Sequence, residues 1–466
     1  MDPVRKLQTN ILSTNKLGEE SPSGLSNGAE QKNGKAWVVS VSMGYGHQRT
    51  AYPLRHLAPD DQIINANDYE GIPQSDRRIW ETNRQFYEFI SNFKRIPLIG
   101  DFFFGIFDKF QKILSYYPKR DLSKPNLLLK QLFSTIKKGW GRHLIEKLVK
   151  SRKEKPLPLI TTFFTPAFMA EFFNYPGNIY CVICDADISR SWVSLNPQQS
   201  RIKYFAPNHR VVYRLGLYGV KKENIFLTGY PLPKENLGSQ KLEILKDDFG
   251  HRLLNLDPRG IYCKQYSPLI KNYVGDLPLK TNHPLTIMFA IGGAGAQKEI
   301  AISVVKSLSK KIKTEKVKII LVAGIKTFVK EFFLKKIEDL GLKNSEGIEI
   351  LYAEKINEYF KKFNEALRTT DVLWTKPSEL SFYTSLGIPI IISPSIGSQE
   401  DFNREWLLRH NSGIPQENPN YTDEWLFDYL SVGWLANAAM HGFIETEKHG
   451  IFNIEKIIEK NELVNH

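Results

Sequence analysis

Two stretches of the chain share one pattern, a short apolar run, then a turn of small residues, then apolar positions at helical spacing. The runs are 36–42 and 285–291, and their turns lie at 43–46 and 292–296. A strand, a glycine turn and a helix in this order form the unit of a parallel α/β sheet, and the glycines let the backbone approach a ligand closely. The chain is therefore predicted to contain two parallel sheets, each opening with such a unit.

Further short apolar runs follow each unit and alternate with helical patterns, as in doubly wound sheets. The strand candidates are 62–66, 158–164, 178–184, 202–206 and 225–228 in the first half, and 318–323, 347–352, 372–374 and 389–392 in the second. A chain of 466 residues is too long for one hydrophobic core. We expect an α/β protein with two Rossmann-like domains that face a cleft, and with a helical aromatic and basic insertion in the first domain.

The expected division of the chain follows these patterns. It comprises a disordered leader at 1–35, a first domain at 36–233 that contains the helical segment 94–155, a linker with an insertion at 234–284, a second domain at 285–435, and helices at 436–466. The leader is expected to be disordered because it is rich in Ser, Asn, Gly, Glu and Lys and has few aromatic residues.

Composition points to the cytoplasm. No apolar run approaches the roughly 20 residues that a membrane-spanning helix needs, and the polar amino terminus lacks the apolar region of a signal peptide. Three cysteines do not make a disulfide framework. Cys181 and Cys184 form a CxxC inside an apolar run, where buried strand positions are favoured over a metal or redox site.

The net charge of +13 is concentrated in one segment, because residues 94–155 hold 16 Lys and Arg against 5 Asp and Glu. Aromatic residues dominate the start of this segment, at 102–107. One interpretation is a helical subdomain with its aromatics inside and a solvated basic face. Another is an anionic membrane surface as partner, with rings at the acyl boundary and cations on headgroups. A single-stranded nucleic acid is a third, disfavoured partner.

The stretch 375–403 carries the clearest ligand chemistry. Pro377 and Ser378 begin a predicted helix that Gly387 ends, a buried strand follows at 389–392, and a polar loop is predicted at 398–403. In an open parallel sheet, the loops after consecutive strands face one crevice. Backbone N–H groups near Ser378 would meet an anion, and the polar loop would hold hydroxyls through Gln399, Glu400 and Asn403. Such a site suits a phosphate joined to a sugar.

The order of these elements resembles the GT-B glycosyltransferases, and most closely the group of monogalactosyldiacylglycerol synthase and lipid II N-acetylglucosaminyltransferase, a family 28-like group. The resemblance covers nearly all of 38–413. Its segments are GYGH at 44–47, the Asp to Trp segment at 185–192, YFAP at 204–207, TGYPL at 228–232, GGAG at 292–295, TK at 375–376 and GSQEDFN at 397–403.

This resemblance implies a hexosyltransferase that moves a sugar from a nucleotide-sugar donor, a UDP-sugar by analogy, to a lipid or other hydroxyl acceptor. It implies no metal and no cofactor. The donor-side residues it implies are Gly292, Gly293, Gly295, Lys376, Ser378, Gln399, Glu400 and Asn403, and the acceptor-side residues are Gly44, Tyr45, Gly46 and Asp187. His47 is the expected general base, although a lone His at a helix start is more often a cap, and Asp185 is the alternative.

One departure from the family pattern lies at 376–380, where KPSEL replaces a glycine-rich segment. Pro377 removes an N–H donor, and the Glu379 carboxylate is unfavourable beside a diphosphate. A nucleotide-sugar epimerase of the same architecture and a non-catalytic nucleotide-sugar-binding protein therefore stay open. The triplet at 185–187 also fits the DxD metal motif of the other glycosyltransferase fold. That fold is disfavoured, because the chain has two doubly wound α/β halves.

Overall fold

A computed structural model describes residues 35–93, 113–151, 156–292, 295, 297–395 and 398–464. At 86–93, 398 and 461–464 it describes the backbone and not the side chains. The expected leader up to residue 34, the aromatic run 102–107 and the predicted site residue Gly293 lie outside the described part of the chain.

The first sheet has six strands that all pair in parallel, in the order β2-β1-β3-β4-β5-β6. These strands are β1 Trp37–Ser40, β2 Ile64–Asn65, β3 Leu159–Thr161, β4 Ile179–Val182, β5 Ile202–Ala206 and β6 Ile225–Leu227. Helices accompany them at α1 Tyr45–Ala51, α2 Gln74–Phe93, α3 Leu127–Lys137, α4 Arg142–Ser151, α5 Phe164–Phe172 and α6 His209–Leu217. Strands β3 and β4 are buried throughout, which explains their continuous apolar sequence.

The second sheet also has six parallel strands, in the order β12-β11-β10-β7-β8-β9. They are β7 Leu285–Ala290, β8 Val317–Gly324, β9 Ile348–Tyr352, β10 Val372–Thr375, β11 Ile390–Ile392 and β12 Gly413–Pro415. Its helices, with those that precede and follow it, are α7 Glu243–Leu256, α8 Ile261–Gln265, α9 Ser267–Tyr273, α10 Lys298–Lys313, α11 Thr327–Asp339, α12 Ile356–Leu367, α13 Ser398–Arg409, α14 Thr422–Ser431, α15 Trp434–Glu445 and α16 Gly450–Val464.

Two parallel sheets of this kind confirm the predicted fold class, an α/β protein of GT-B architecture built from two Rossmann-like domains. Short 3₁₀ helices occur at Tyr52–Leu57, Pro59–Asp61, Arg190–Trp192, Lys222–Asn224, Lys234–Asn236, Glu379–Leu386 and Pro419–Tyr421. The first of them continues α1, because Pro53 cannot extend an α-helix in its interior.

One local prediction was wrong, since residues 398–403 form the start of α13 and not a polar loop. Glu400 and Asp401 stand in its first turn, where carboxylates stabilise the positive end of the helix dipole. The strand β12 was also missed, because Gly413 and Pro415 are poor strand formers.

The predicted linker at 234–284 is largely helical and is docked on the second sheet. Arg252 of α7 is fully buried and donates hydrogen bonds to three carbonyl oxygens of that domain, those of Thr370 at 2.7 Å, Leu386 at 2.7 Å and Leu367 at 3.2 Å. A buried guanidinium needs such acceptors, so this segment is fixed to the second domain.

The last helix, α16, returns to the first domain. Asn453 donates to the Thr228 carbonyl at 2.8 Å, and Glu455 pairs with Lys234 at 2.6 Å and with His56. Gly450 lies directly against the backbone of Tyr230. The chain therefore crosses between the two domains twice.

In the described part of the basic segment, several aromatic and aliphatic residues pack inward, while Leu114, Tyr117 and Leu127 are exposed. Trp140 is buried against Trp80, with ring centroids 4.7 Å apart, and Leu129 and Ile136 of α3 are fully buried. This agrees with the subdomain interpretation for 113–151, while the membrane surface stays a prediction. Within the described ranges, no helix combines the length and the apolar character that crossing a bilayer requires.

Candidate active site in the interdomain cleft

The carboxyl-terminal ends of the two sheets face each other, and α1 stands at the contact between them. Tyr45 of α1 accepts a hydrogen bond from the backbone N–H of Ile325 at 3.1 Å, and its ring packs on Tyr359 at 5.1 Å. A Cβ atom on Gly324, at the end of β8, would lie 2.6 Å from the Tyr45 hydroxyl, so only glycine leaves room for this contact. The predicted acceptor-side turn therefore touches the second domain directly.

The turn before α1 is built from Gly44 and Gly46. Gly44 has φ of 104°, in the left-handed region that favours glycine, and it caps α1. A Cβ atom on Gly46 would lie 3.0 Å from a carboxylate oxygen of Glu379. The second glycine thus provides the space in which a side chain from the opposite domain sits.

His47 is held as a neutral base. Its Nδ1 lies 2.8 Å from the carbonyl oxygen of Thr162, which can only accept, so Nδ1 carries the proton and Nε2 carries the lone pair. Burial lowers the pKa of His47 from 6.5 to about 4, against the opposing effects of Thr162 and Glu379. Nε2 has no hydrogen-bond partner within the described residues. The ring is therefore neutral at neutral pH, with the Nε2 lone pair unprotonated.

Aromatic and sulfur atoms surround the His47 ring. The Phe163 ring centroid is 4.7 Å away and that of Trp192 is 6.3 Å away, while the Cys184 sulfur lies 3.4 Å from Nδ1. Burial raises the pKa of Cys184, so its thiol is protonated at neutral pH. Cys181 and Cys184 are both free and buried, as the sequence predicts for strand residues.

Asp185 follows β4 and is linked to the second domain by Asn403. The Asn403 side chain donates to the Asp185 carboxylate at 3.3 Å and accepts from the Ala186 N–H at 2.8 Å. The pKa of Asp185 is raised from 3.8 to about 6, mainly by burial and also by the nearby charges of Glu379 and Glu400, against the lowering effects of Asn403 and Lys376. A carboxyl group with a pKa near neutrality suits proton transfer.

Asp187, two residues on, is in a different environment. Its carboxylate accepts two hydrogen bonds from Arg214, at 2.8 and 2.7 Å, one from Arg210 at 2.7 Å and one from the Ile188 N–H at 2.9 Å. These bonds occupy most of its acceptor capacity, so it orders the loop after β4. Its predicted contact with the acceptor stays a prediction. Within the described residues, no three His, Cys, Asp or Glu side chains are grouped as metal ligands would be.

Arg49 and Glu379 form an ion pair across the cleft, with Nε 3.2 Å from the carboxylate. Their side chains are 3% and 11% exposed. Arg49 also donates to the Tyr359 hydroxyl at 2.7 Å, and its guanidinium lies 4.1 Å from the centroid of Phe363. Burial alone would lower the pKa of Arg49, but Tyr359, Tyr383 and Glu379 raise it, so it stays charged. The carboxylate that departs from the family pattern is thus neutralised by a cation from the first domain.

The predicted donor residues Lys376 and Glu400 are paired with each other. Lys376 follows β10 and passes over Gly292, where a Cβ atom would come within 2.8 Å of the lysine Cε. Gly295 closes the turn by donating its N–H to the Gly292 carbonyl at 2.8 Å, with φ of 70°. The structure therefore brings Gly292, Lys376 and Glu400 together.

Ser378 acts as a helix cap. Its hydroxyl accepts from the N–H of Leu380 at 3.4 Å, so one of the donors predicted to meet an anion is already used. Gln399 precedes Glu400 in the first turn of α13 and is half-buried. Among the described members of the donor-side set, Gly292, Lys376, Glu400 and Asn403 have contacts inside the cleft.

A cavity of about 250 Å³ opens between the domains near the loop after β4. The start of α6 lines one side, where Asn208 donates to the Ala186 carbonyl at 3.1 Å. Phe402, Trp406 and Arg409 of α13 line the other. The described lining of this cavity includes none of the predicted donor residues and neither His47 nor Asp185.

Sequence reasoning missed Arg49 and Tyr359, and it treated Glu379 only as an obstacle to diphosphate binding. The available indication was Glu379 itself, because a carboxylate in an otherwise apolar helix needs a cation or hydrogen-bond donors. Nothing in the sequence says which of the chain's 63 Lys and Arg residues supplies it.

Comparison with known proteins gives limited similarity. Residues 278–344 match a family described as a domain of unknown function, DUF6938. No curated protein matches the chain in sequence.

Solved structures resemble the chain at low identity. MurG from Acinetobacter baumannii is 11% identical, with 91% of this chain and 99% of that chain covered and a TM-score of 0.44. A putative UDP-N-acetylglucosamine 2-epimerase from Listeria monocytogenes is 13% identical, with 74% and 83% covered and a TM-score of 0.42. UDP-GlcNAc 2-epimerase from Neisseria meningitidis, bound to UDP-GlcNAc, is 13% identical, with 73% and 83% covered and a TM-score of 0.41. Similarities this weak do not transfer a ligand or a reaction to this chain.

Proposed function

We propose that this protein is an enzyme that binds a nucleotide sugar in the cleft and transfers the sugar to a hydroxyl acceptor. The observation that carries the proposal is that the two domains place complementary groups on opposite sides of the cleft. His47, neutral and with a free Nε2, and Asp185 stand on the first domain, and the Lys376–Glu400 pair above Gly292 stands on the second. A base opposite an anion-binding turn is what displacement at an anomeric carbon requires.

In this proposal the nucleotide diphosphate binds beside Gly292 and Lys376. The sugar or ribose hydroxyls replace Lys376 as partners of Glu400, and Lys376 turns to the diphosphate. His47 Nε2 takes the proton of the acceptor hydroxyl. The acceptor oxygen bonds to the anomeric carbon, and the bond between that carbon and the diphosphate oxygen breaks. Lys376 and the N–H dipoles of the second glycine turn stabilise the departing anion, so we propose a transfer without a metal ion or cofactor.

Acceptor binding is assigned to the first domain and the adjoining cavity. A lipid acceptor would make the protein a peripheral membrane enzyme of the cytoplasm with a role in glycolipid synthesis, and the basic segment 94–155 would then face anionic headgroups. Trp406 in the cavity provides a ring for the acceptor head.

An epimerase is the second candidate, and one observation favours it. Asp185, with its raised pKa, interacts with Glu379 and Glu400, so three carboxyl groups share the cleft with His47. Proton abstraction and return at a sugar carbon need acid and base groups of this kind. A non-catalytic sugar-nucleotide binder would need neither the neutral His47 nor these carboxyl groups.

The test is a thermal-shift screen of nucleotides and nucleotide sugars, followed by product analysis of the best ligand with and without acceptor alcohols. A ligand at 100 times its dissociation constant stabilises the fold by about 2.7 kcal/mol. Release of free nucleotide only with an acceptor supports the transferase. A new nucleotide sugar formed without acceptor supports the epimerase, and absence of any nucleotide-dependent shift contradicts both.

A further inference from the structure

Asn403 of α13 reaches across the cleft to the loop after β4. Its side chain accepts from the Ala186 N–H at 2.8 Å and donates to the Asp185 carboxylate at 3.3 Å, over 217 and 218 positions of the chain. The Asn403 side chain is buried, with 1% exposure. A buried side chain of the second domain therefore forms hydrogen bonds with two consecutive residues of the first.

These two hydrogen bonds define the orientation of the Asn403 amide. A backbone N–H can only donate, so the atom that faces Ala186 is the amide oxygen, and the atom that faces Asp185 is the amide nitrogen. A hydrogen bond to a charged acceptor is stronger than one to a neutral acceptor, so an N–H donor stabilises a carboxylate more than a carboxylic acid. The contact thus favours the ionised form of Asp185.

Most other influences on Asp185 act in the opposite direction. Burial and the charges of Glu379 and Glu400 raise its pKa, while the amide of α13 and the charge of Lys376 lower it. The amide has the larger of the two lowering effects. The thiol of Cys184, the preceding residue, is uncharged because burial raises its pKa. A buried Asp beside two carboxylates needs such a donor to serve as a base near neutral pH.

The helix that provides Asn403 also carries a predicted donor residue. Glu400 and Asn403 are three positions apart in α13, so their side chains are neighbours on the helix surface. Glu400 pairs with Lys376, and Asn403 bonds to Asp185. One turn of α13 therefore connects the predicted donor residues to a carboxyl group of the opposite domain.

The loop after β4 is also held from within the first domain. Asn208, at the start of α6, donates to the Ala186 carbonyl at 3.1 Å and accepts from the N–H of Val211 at 2.9 Å. Its described hydrogen bonds are to the backbone and not to the Asp185 carboxylate. The two asparagines, Asn208 and Asn403, thus allow an effect on the order of the loop to be separated from an effect on the carboxyl group.

We propose that Asn403 is a positioning residue, supplied by the second domain, that holds the Asp185 carboxylate in place and favours its ionised form. This assigns Asn403 to Asp185 and not to a hydroxyl of the donor. The consequence for proton transfer rests on the proposed function, whereas the effect on the titration of Asp185 does not. Substitution of Asn403 should therefore change the pH dependence of the site as well as its stability.

The experiment follows Asp185 in the full chain by NMR of isotope-labelled aspartate carboxyl groups, with its signal identified by the loss in Asp185→Asn. Asn403→Ala removes the donor and should raise the titration midpoint by about one pH unit. Asn403→Asp keeps an oxygen for the Ala186 N–H but adds a second carboxyl group, so the pair should titrate in two steps, one at least about one unit above the parent midpoint. Asn208→Ala is the matched control and should leave the midpoint within about 0.3 units.

The pH profile of the reaction is the second measurement. A limb of kcat/KM near pH 6 that Asp185 produces should move with the midpoint in Asn403→Ala and stay in place in Asn208→Ala. Thermal unfolding checks that each variant is folded.

Two outcomes would overturn the proposal. One is an unchanged Asp185 midpoint in both Asn403 variants, and the other is an equal shift in Asn208→Ala, which would assign the effect to the order of the loop. A shifted midpoint in a protein that no nucleotide stabilises would support the role of Asn403 and contradict the proposed reaction. Nucleotide-dependent turnover without any shift would do the reverse.

Discussion

Arg49 and Glu379 lie 330 positions apart in the chain and meet as a buried ion pair that joins the two domains across the cleft. Removing one member of a buried pair leaves the other charge without compensation, which typically costs 3–5 kcal/mol. We therefore expect Glu379→Ala and Arg49→Ala each to lower the free energy of unfolding by about 3 kcal/mol. Urea denaturation measures this.

The control for that prediction is Arg409→Ala, which removes an exposed pair with Glu405 within α13. It should change stability by less than about 0.5 kcal/mol. The double variant Arg49→Met, Glu379→Met should be destabilised less than the sum of the single variants. Additive losses would mean that the two side chains do not interact.

Glu400 should matter to the donor and not to the fold. If its carboxylate accepts hydrogen bonds from sugar or ribose hydroxyls, Glu400→Ala should weaken nucleotide-sugar binding by about 1.5–3 kcal/mol, as seen by calorimetry. Glu405→Ala, one turn along the same helix, is the control and should leave affinity unchanged. Equal affinities of the parent and Glu400→Ala would remove Glu400 from the site.

His47 should govern turnover. General-base catalysis typically contributes 10²–10⁴-fold, so His47→Ala should reduce kcat by about that factor while donor affinity holds. The pH profile separates the two candidate bases, since the acid limb of kcat/KM should fall near pH 4 for His47 and near pH 6 for Asp185. Parental turnover in His47→Ala would pass the role to Asp185.

The same two groups should affect stability in opposite directions. For His47 the folded-state pKa is below 6.5, so the unfolded chain binds more protons between pH 4 and 6.5 and stability rises with pH. For Asp185 the folded-state pKa is above 3.8, so the folded protein binds more protons between pH 4 and 6 and stability falls with pH. The two contributions oppose each other in the parent protein.

Single substitutions should expose each contribution. Between pH 4 and 6, Asp185→Asn should become more stable with rising pH than the parent does, by up to about 1 kcal/mol per pH unit, and His47→Gln should show the reverse. Chemical denaturation at several pH values measures both slopes. Parallel slopes for the parent and both variants would contradict the pKa shifts.

Local sequence signals predicted the fold because the fold is built from local units. The apolar run at 285–291 predicted β7, and Ser378 and Gly387 do bound a helix. Residues 398–403 were misread because polarity was taken to indicate a loop. A helix whose first turn carries Glu400 and Asp401 is just as polar.

The site was predicted in part for the same reason. Lys376 and Glu400 follow neighbouring strands of the second sheet, so the topology of a parallel sheet brings them to one edge, while His47 opens a helix at the corresponding edge of the first sheet. Pairs that join the domains, such as Asn403 with Asp185, depend on how two separate sheets meet. No periodicity in the chain encodes that relationship, and it had to be seen in three dimensions.

The second crossing of the chain, where α16 returns to the first domain, limits how the cleft can open. The crossings run side by side, since a Cβ atom on Gly229 would come within 2.8 Å of Glu447. Two adjacent connections define a line, and rotation about that line is the motion they resist least. Any opening of the cleft would then be a rotation of one domain about these two connections, and it would have to break the ion pair between Arg49 and Glu379.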